Sequence, residues 1–277
     1  MGLTAKKIYR VGILGREFDV KLSFQRQSRA NTPRNNPLSV PPVAYASAFH
    51  LRARPVRVAE AQQVGWLHDV SPGQRERAVA DMRVVELAPG ERVVRVGRQA
   101  THWLGLADGL LKMSSERATG GGITFTGIAP GGWFGEGTVL KREVFRYNIQ
   151  ALRPSVVLAL PSETFHWLLD HSLAFNRFIM LQLNERLAQF IGAREIDRLG
   201  NPDLRVARNL AALCNPALFP GVGDVLRITQ QELAYLVGLS RQRVNQALRA
   251  LQAQGWVQVE YGGLRVLQRQ ALREGQL

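Results

Sequence analysis

The sequence predicts an α+β protein, with a region of short strands, then one long helix, then two short helices closed by a β-hairpin. Three observations predict it. Short apolar runs ending in glycine turns recur between about residues 58 and 161, an apolar seven-residue repeat runs through the helical stretch after them, and two capped helical segments meet at a glycine within residues 228–251. The expected division is a basic extension over 1–57, a strand-rich domain over 58–161, a long helix over 162–200 and a C-terminal helical domain over 201–277.

The chain has 277 residues, 45% of them hydrophobic, enough for two modest domains and an extension. Its formal charge of +14 fits a polyanionic partner, but alone does not separate nucleic acid from an acidic membrane. Much of the excess lies at the front, where Lys6, Lys7, Arg10, Arg16, Lys21, Arg26, Arg29, Arg34, Arg52, Arg54 and Arg57 face only Glu17, Asp19 and Glu60. That segment has little sustained periodicity and carries Pro33, Pro37, Pro41 and Pro42, so it reads as mostly disordered. It is either a basic arm that adds phosphate contacts or a dispensable tail from an upstream start codon. No apolar run in it matches the centre of a signal peptide, and none elsewhere reaches a membrane span, so a cytoplasmic protein with no membrane partner is expected. A single cysteine, Cys214, excludes an internal disulfide framework.

The strands come in order. Val84-Val85-Glu86-Leu87 leads into Pro89-Gly90, Val93-Val94-Arg95-Val96 into Gly97, and Trp103-Leu104-Gly105-Leu106 into Asp108-Gly109. Ile123-Thr124-Phe125, Tyr147-Asn148-Ile149 and Val156-Val157-Leu158 continue the series, at a spacing that argues for a compact β-roll or barrel. Ser162 then opens a helical run that ends near Leu199-Gly200. Within it Leu173, Met180 and Leu187 recur every seven residues, with Leu183 and Phe190 as a companion row, the seam of a helix that pairs with a second copy. Phe175, Phe178, Ile179 and Ile191 form another apolar set suited to covering the roll; the alternative is one wide face buried within a monomer. Asn201-Pro202-Asp203 restarts a helix, so the break before it is the expected hinge, and Leu204, Val206, Ala207, Leu210 and Leu213 would support the C-terminal pair of helices.

Thr229, with Glu232 three residues on, is a capping box that opens the first helix of that pair. Ala234 stands where the two helices approach, Gly238 supplies the turn and Ser240 caps the second helix. Leu233, Leu236, Val237, Leu239, Val244, Ala247, Leu248 and Leu251 recur at helical spacing as a buried seam. The complementary face carries Arg241, Gln242, Arg243, Asn245 and Gln246, long donors and amides able to pair with guanine O6/N7 or adenine N6/N7 in a major groove. With Thr229, Gln230 and Ser240 at the helix starts, these are the expected contacts to double-stranded DNA. Beyond Gly255, the alternation of 256–260, the Gly262-Gly263 pair and the return run to Leu267 read as a β-hairpin wing.

Thr229-Gln230, Glu232-Leu233-Ala234, Gly238-Leu239-Ser240-Arg241, Leu248-Arg249-Ala250-Leu251 and Gly255 together resemble the C-terminal winged helix of the cyclic AMP receptor and fumarate-nitrate reduction regulators, the Crp/Fnr family. Ala88-Pro89-Gly90-Glu91, Asp108-Gly109-Leu110-Leu111-Lys112 and the Pro130-Gly131-Gly132-Trp133-Phe134-Gly135-Glu136 run resemble the same family's cyclic-nucleotide-binding-like roll, so the likeness covers residue 60 or so to the end. The resemblance implies a homodimeric transcription regulator with a roll, a dimerising helix and a winged helix-turn-helix. Its partners would be an operator, RNA polymerase and a small effector held in the roll.

In members that bind cyclic AMP, a Gly-Glu turn serves the ribose and an Arg-Ser or Arg-Thr pair after it clamps the phosphate. This chain keeps Gly135-Glu136, but 137–147 contains no such pair; Arg146 is followed by Tyr147, and Phe190-Ile191 stand where a Thr-Ser pair would meet the adenine. Gly135, Glu136, Arg146 and Phe190 are the candidate effector residues, with some ligand other than cyclic AMP expected. No resident cofactor or metal is expected, since an iron-sulfur sensor needs several cysteines and the five histidines form no i, i+4 pair. Catalysis is not expected either. Gly120-Gly121-Gly122 lacks the Gly-Lys-Ser/Thr of a P-loop, and no Gly-x-Ser-x-Gly elbow occurs. The alternative function is a constitutive DNA-binding dimer whose roll is only a scaffold.

Overall fold

The computed structural model describes residues 5–13, 16–24, 52–116 and 122–275, which fall into two units, 1–44 and 45–277. In the first, β1 (Ala5–Ile13) and β2 (Arg16–Phe24) pair antiparallel, with Arg10 opposite Asp19 and Val11 opposite Phe18. This hairpin corrects the expectation of little periodicity. Phe18, Val20, Leu22 and Phe24 alternate with polar residues, a period of two that the surrounding charge obscures. The rest of the leading segment up to residue 51, like residues 117–121, lies outside the described residues.

In the second unit, β3 (Arg54–Pro55), α1 (Val58–Gln62), a 3₁₀ turn (Gly65–His68) and α2 (Pro72–Asp81) precede the roll. Residues 58–81 are thus helical where strands were expected, and Ser71 opens α2 through a capping box with Gln74, followed by proline at the first helical position. The roll then runs β4 (Arg83–Leu87), β5 (Arg92–Val94), β6 (His102–Asp108), β7 (Leu111–Glu116), β8 (Gly122–Ile128), β9 (Trp133–Phe134), α3 (Glu136–Leu140), β10 (Asn148–Ala151) and β11 (Ser155–Pro161). Its strands form two antiparallel sheets, ordered β3-β4-β11-β6-β9 and β5-β10-β7-β8.

Aromatic side chains fill the roll where it meets the helices. The Trp103 and Trp133 rings lie 4.2 Å apart, with Trp66 at 5.6 Å from each. Gly105 makes this approach possible, because a Cβ there would stand 2.6 Å from the Trp133 ring. Phe165 and Phe175 meet Trp103 edge-on at 5.3 and 5.5 Å, so the cluster also anchors the next two helices.

Those helices are α4 (Ser162–His171) and α5 (Leu173–Leu199). The single run expected from Ser162 is broken at Ser172, which takes an extended conformation (φ −130°, ψ 107°) and accepts the Phe175 amide at its hydroxyl. The end at Gly200 is as expected, with φ +67°. The face of α5 on the roll is Phe175, Ile179, Gln182 and Arg186, all buried and spaced i, i+4, i+7, i+11. Ile191, expected there, is 55% exposed instead, since two polar side chains continue the buried row. Leu173, Met180 and Leu187 are 66%, 60% and 59% exposed on the far side, with Leu183 partly buried.

Asn201 caps α6 (Pro202–Leu213) through its side-chain carbonyl, and Val206, Ala207, Leu210 and Leu213 are buried beneath the C-terminal domain. That domain comprises β12 (Val225–Leu226), α7 (Gln230–Val237), α8 (Arg241–Ala253), β13 (Val257–Glu260), β14 (Gly263–Val266) and α9 (Arg269–Glu274), its three strands ordered β12-β14-β13. The wing turns at Tyr261-Gly262, and Tyr261 is fully exposed.

The crowding at Gly105 gives a stability test. Gly105→Ala is expected to lose about 1–3 kcal/mol in urea unfolding, as overpacking does. Gly73→Ala, in α2 with nothing within 4 Å of the added methyl, is expected to gain about 0.5–1 kcal/mol. Equal effects at the two sites would contradict the packing described.

Candidate nucleic-acid interface

The helix-turn-helix is assembled from local signals. The Thr229 hydroxyl accepts the Glu232 amide at 3.2 Å, and the Glu232 carboxylate accepts the Thr229 amide at 2.8 Å. Gly238 closes α7 at φ +67°, and the Ser240 hydroxyl accepts the Arg243 amide at 3.2 Å to open α8. Leu233, Leu236, Val237, Val244, Ala247, Leu248 and Leu251 are buried as the seam, and Leu239 packs against it partly buried.

The outer face of α8 is polar and basic. Arg241, Gln242 and Gln246 are exposed on it, with Asn245 half-buried among them, and Thr229 and Ser240 are exposed at the two helix starts with Gln230 half-buried. Arg243 stands apart from this set. Its guanidinium turns back to α6, where it meets the Asp203 carboxylate at 2.7 Å. The helix carries no acidic residue, and Arg249, one turn beyond Asn245, adds an exposed cation that periodicity alone does not single out. Tyr261 at the wing tip escapes sequence reasoning too, because a turn residue carries no periodic signal.

The capping carboxylate has a second task. Glu232 also takes a bidentate pair from Arg153 of the roll, Nε to Oε1 at 2.8 Å and Nη2 to Oε2 at 2.7 Å, while the same guanidinium donates to the Arg227 carbonyl. The Thr124 hydroxyl donates to the Tyr235 carbonyl, and the Gly221 amide donates to the Pro130 carbonyl. The C-terminal domain is therefore docked on the roll through these polar contacts and through apolar ones, Leu213 and Leu236 against Gly127 and Phe219 against Gly132.

The four expected effector residues do not form one site. Gly135 takes φ +87° to start α3, and Glu136 behind it is buried. The Glu136 carboxylate accepts from Arg186 Nε of α5 at 2.6 Å, and the same guanidinium donates to the Trp133 carbonyl. The Phe145 ring is 3.2 Å and the Tyr147 hydroxyl 3.7 Å from where a Gly135 Cβ would stand, so two aromatic side chains roof the turn. Burial pushes the Tyr147 hydroxyl above its ordinary pKa, against a hydrogen bond with Thr138 that lowers it. Arg146 points away, 81% exposed beside Glu143 at 3.7 Å, so it does not bring charge to the turn. Phe190 lines a different cavity, of about 410 Å³, between β8, α5, α6 and the end of α7.

The lone Cys214 is buried, and that burial pushes its thiol up to about 11, an inert group. Among the described residues no helix is long and apolar enough to cross a membrane.

Known proteins share this arrangement. Residues 204–274 match the Crp-like helix-turn-helix domain, and residues 84–172 match the cyclic nucleotide-binding domain. The transcriptional regulator SdrP of Thermus thermophilus is 27% identical over 172 residues, 60% of this chain and 80% of that protein. Two solved structures share the fold. FixK2 of Bradyrhizobium japonicum aligns with a TM-score of 0.55 at 16% identity, over 69% of this chain and 95% of its own. The c-di-GMP-responsive global regulator CLP of Xanthomonas campestris aligns at 0.50 and 22%, over 71% and 99%.

A nucleotide at Gly135-Glu136 meets a buried carboxylate with one oxygen held by Arg186 and only Oε2 without a partner, roofed by Phe145 and Tyr147, and Arg146 does not reach the turn as a phosphate clamp. Calorimetric titration of the purified chain with cyclic AMP and cyclic GMP is expected to show no binding in the micromolar range. Micromolar affinity lost on Glu136→Gln would contradict this account of the turn.

Proposed function

We propose that this chain, which belongs to the Crp/Fnr family of transcription regulators, is a homodimer that reads a two-fold operator with α8 and is gated by a small effector. The observation that carries the reading is the exposed Arg241, Gln242 and Gln246 face of α8 on a helix-turn-helix whose apolar seam is buried. Such a face enters a major groove with its first turn nearest the base edges. Arg241 lies in that turn and suits a guanine, which it meets through O6 and N7. Thr229, Gln230 and Ser240 then serve the phosphates, with Asn245 beside the reading face. In this reading Arg243 supports the helix from Asp203 and is not a reader.

Dimerisation is supported by the exposed row of Leu173, Met180 and Leu187, because an apolar seam of this length is costly to leave in water. Pairing of two α5 helices would set two copies of α8 in successive major grooves, about 34 Å apart. Gating is supported by the joint between roll and reader. The hinge after Gly200 and the Arg153–Glu232 pair give the reader two supports, and an effector that favours one arrangement over another shifts operator affinity. The closure of the Gly135-Glu136 turn by Arg186 favours a second reading, in which the roll is a scaffold and DNA binding is constitutive.

Two measurements test the reader and the dimer. Arg241→Ala is expected to cost roughly 1–3 kcal/mol per half-site and to relax the preference at one base pair in a binding selection; uniform weakening with an unchanged preference would move Arg241 to the backbone. Leu187→Glu buries an unpaired charge in the seam, so sedimentation is expected to show monomers, with operator affinity falling sharply. A mutant that remains dimeric would place the interface elsewhere.

A further inference from the structure

We infer that the cavity between β8, α5, α6 and the turn of the helix-turn-helix is an effector site, and that its ligand is an organic anion carrying a flat apolar group. The inference deepens the gating reading above and rests on it. The cavity holds about 410 Å³, within the roughly 300–1,000 Å³ range of small-molecule sites.

One end of it is cationic. Arg205 and Arg208, one turn apart on α6, and Arg273 of α9 all line it, and Glu185, which already accepts from Asn215 at 3.0 Å, is the one carboxylate among the lining residues. The Nε atoms of Arg205 and Arg208 and both polar atoms of the Gln189 amide are buried with no partner in the protein. Buried donors in that state are costly, and a charged acceptor that meets two guanidiniums offsets the cost.

The other end is apolar and flat-sided. Ile123 and Phe125 of β8 are 45% and 40% exposed and line the cavity with Phe190 of α5, 39% exposed. Large apolar side chains left open beside half-buried arginines whose Nε atoms lack partners suit a ligand with a planar ring at one end and an anionic group at the other. The walls make such a ligand regulatory. β8 belongs to the roll, α6 comes after the hinge, and Leu236, Val237 and Gly238 form the turn into α8, so a molecule seated here touches every part whose relative placement sets the reader.

The test uses the full chain, its operator, and 1-anilinonaphthalene-8-sulfonate as a flat aromatic anion, with uncharged N-phenyl-1-naphthylamine as control. The expected result is saturable binding of one sulfonate probe per chain, weakened about tenfold or more by the double change Arg205→Gln and Arg208→Gln. Ala188→Trp, which fills the cavity from an exposed helix position, is expected to weaken both probes, whereas the arginine changes leave the uncharged one unaffected. Operator affinity of the wild type is expected to shift several-fold when the sulfonate probe is bound. Sulfonate binding that is absent, or unchanged in both variants, overturns the site while operator binding still upholds the DNA reading. Operator binding that is absent with and without probe overturns the DNA reading, even where the probe shows the expected pattern.

Discussion

The ion pair between Arg186 and Glu136 is the constraint on which the rest of the arrangement depends. Both side chains are nearly buried, 10% and 4% exposed, and the guanidinium also donates to the Trp133 carbonyl beside the tryptophan cluster. A buried pair of this kind contributes little net stability over an apolar replacement, yet removing one partner costs about 3–5 kcal/mol, so it acts as a register pin. It fixes which face of α5 meets the roll. Once Arg186 points inward, the row Leu173, Met180 and Leu187 must point outward, and the helix presents an apolar stripe to whatever lies beyond. The same pair takes up one oxygen of the carboxylate of the Gly-Glu turn and leaves Oε2 buried without a partner. A feature that favours dimerisation and a feature that disfavours a nucleotide at that turn thus share one cause.

The reader is tied to the rest of the chain in a different way. Its contacts with the roll combine an ion pair with exposures of 25% and 12% and single hydrogen bonds to backbone carbonyls with apolar packing, in which Leu213 and Leu236 close on Gly127 and the Phe219 ring on Gly132. The polar contacts are exchanged for water at small net cost, so the apolar packing around Gly127 and Gly132 is what a change of position has to give up. The capping carboxylate of Glu232 holds the first turn of α7 and Arg153 together, so the helix start and the domain contact respond to the same group. Asp203 links the first turn of α6 to α8 through Arg243.

The C-terminal domain was legible in the sequence because its signals are local: two caps, one glycine turn and an apolar seam at helical spacing. The roll was legible in outline, since glycine turns and apolar runs mark strands without fixing their partners. The hidden features depend on contacts between distant residues. Gln182 and Arg186 are polar residues that an apolar periodicity does not mark as core, and their partners Ala217, Glu136 and Trp133 make them interior. Arg146 read as a spare charge for the turn, but the nearer Glu143 takes it outward. Phe190 was placed with Gly135 and Glu136, whereas the geometry of the helix carries it to the cavity beside α6. The break at Ser172 was also hidden, because the apolar pattern continues across a residue whose hydroxyl starts a new helix.

The central claim is that two copies of this chain read DNA together through α8. Selection of bound sequences from a random duplex pool, with the full-length protein and quantitative recovery, tests it most directly. The account predicts an enriched two-fold-symmetric site whose half-sites lie about one helical turn, or 34 Å, apart, with a guanine in each half at the position Arg241 reaches. Enrichment of a single unrepeated half-site, or of no sequence at all, would contradict it.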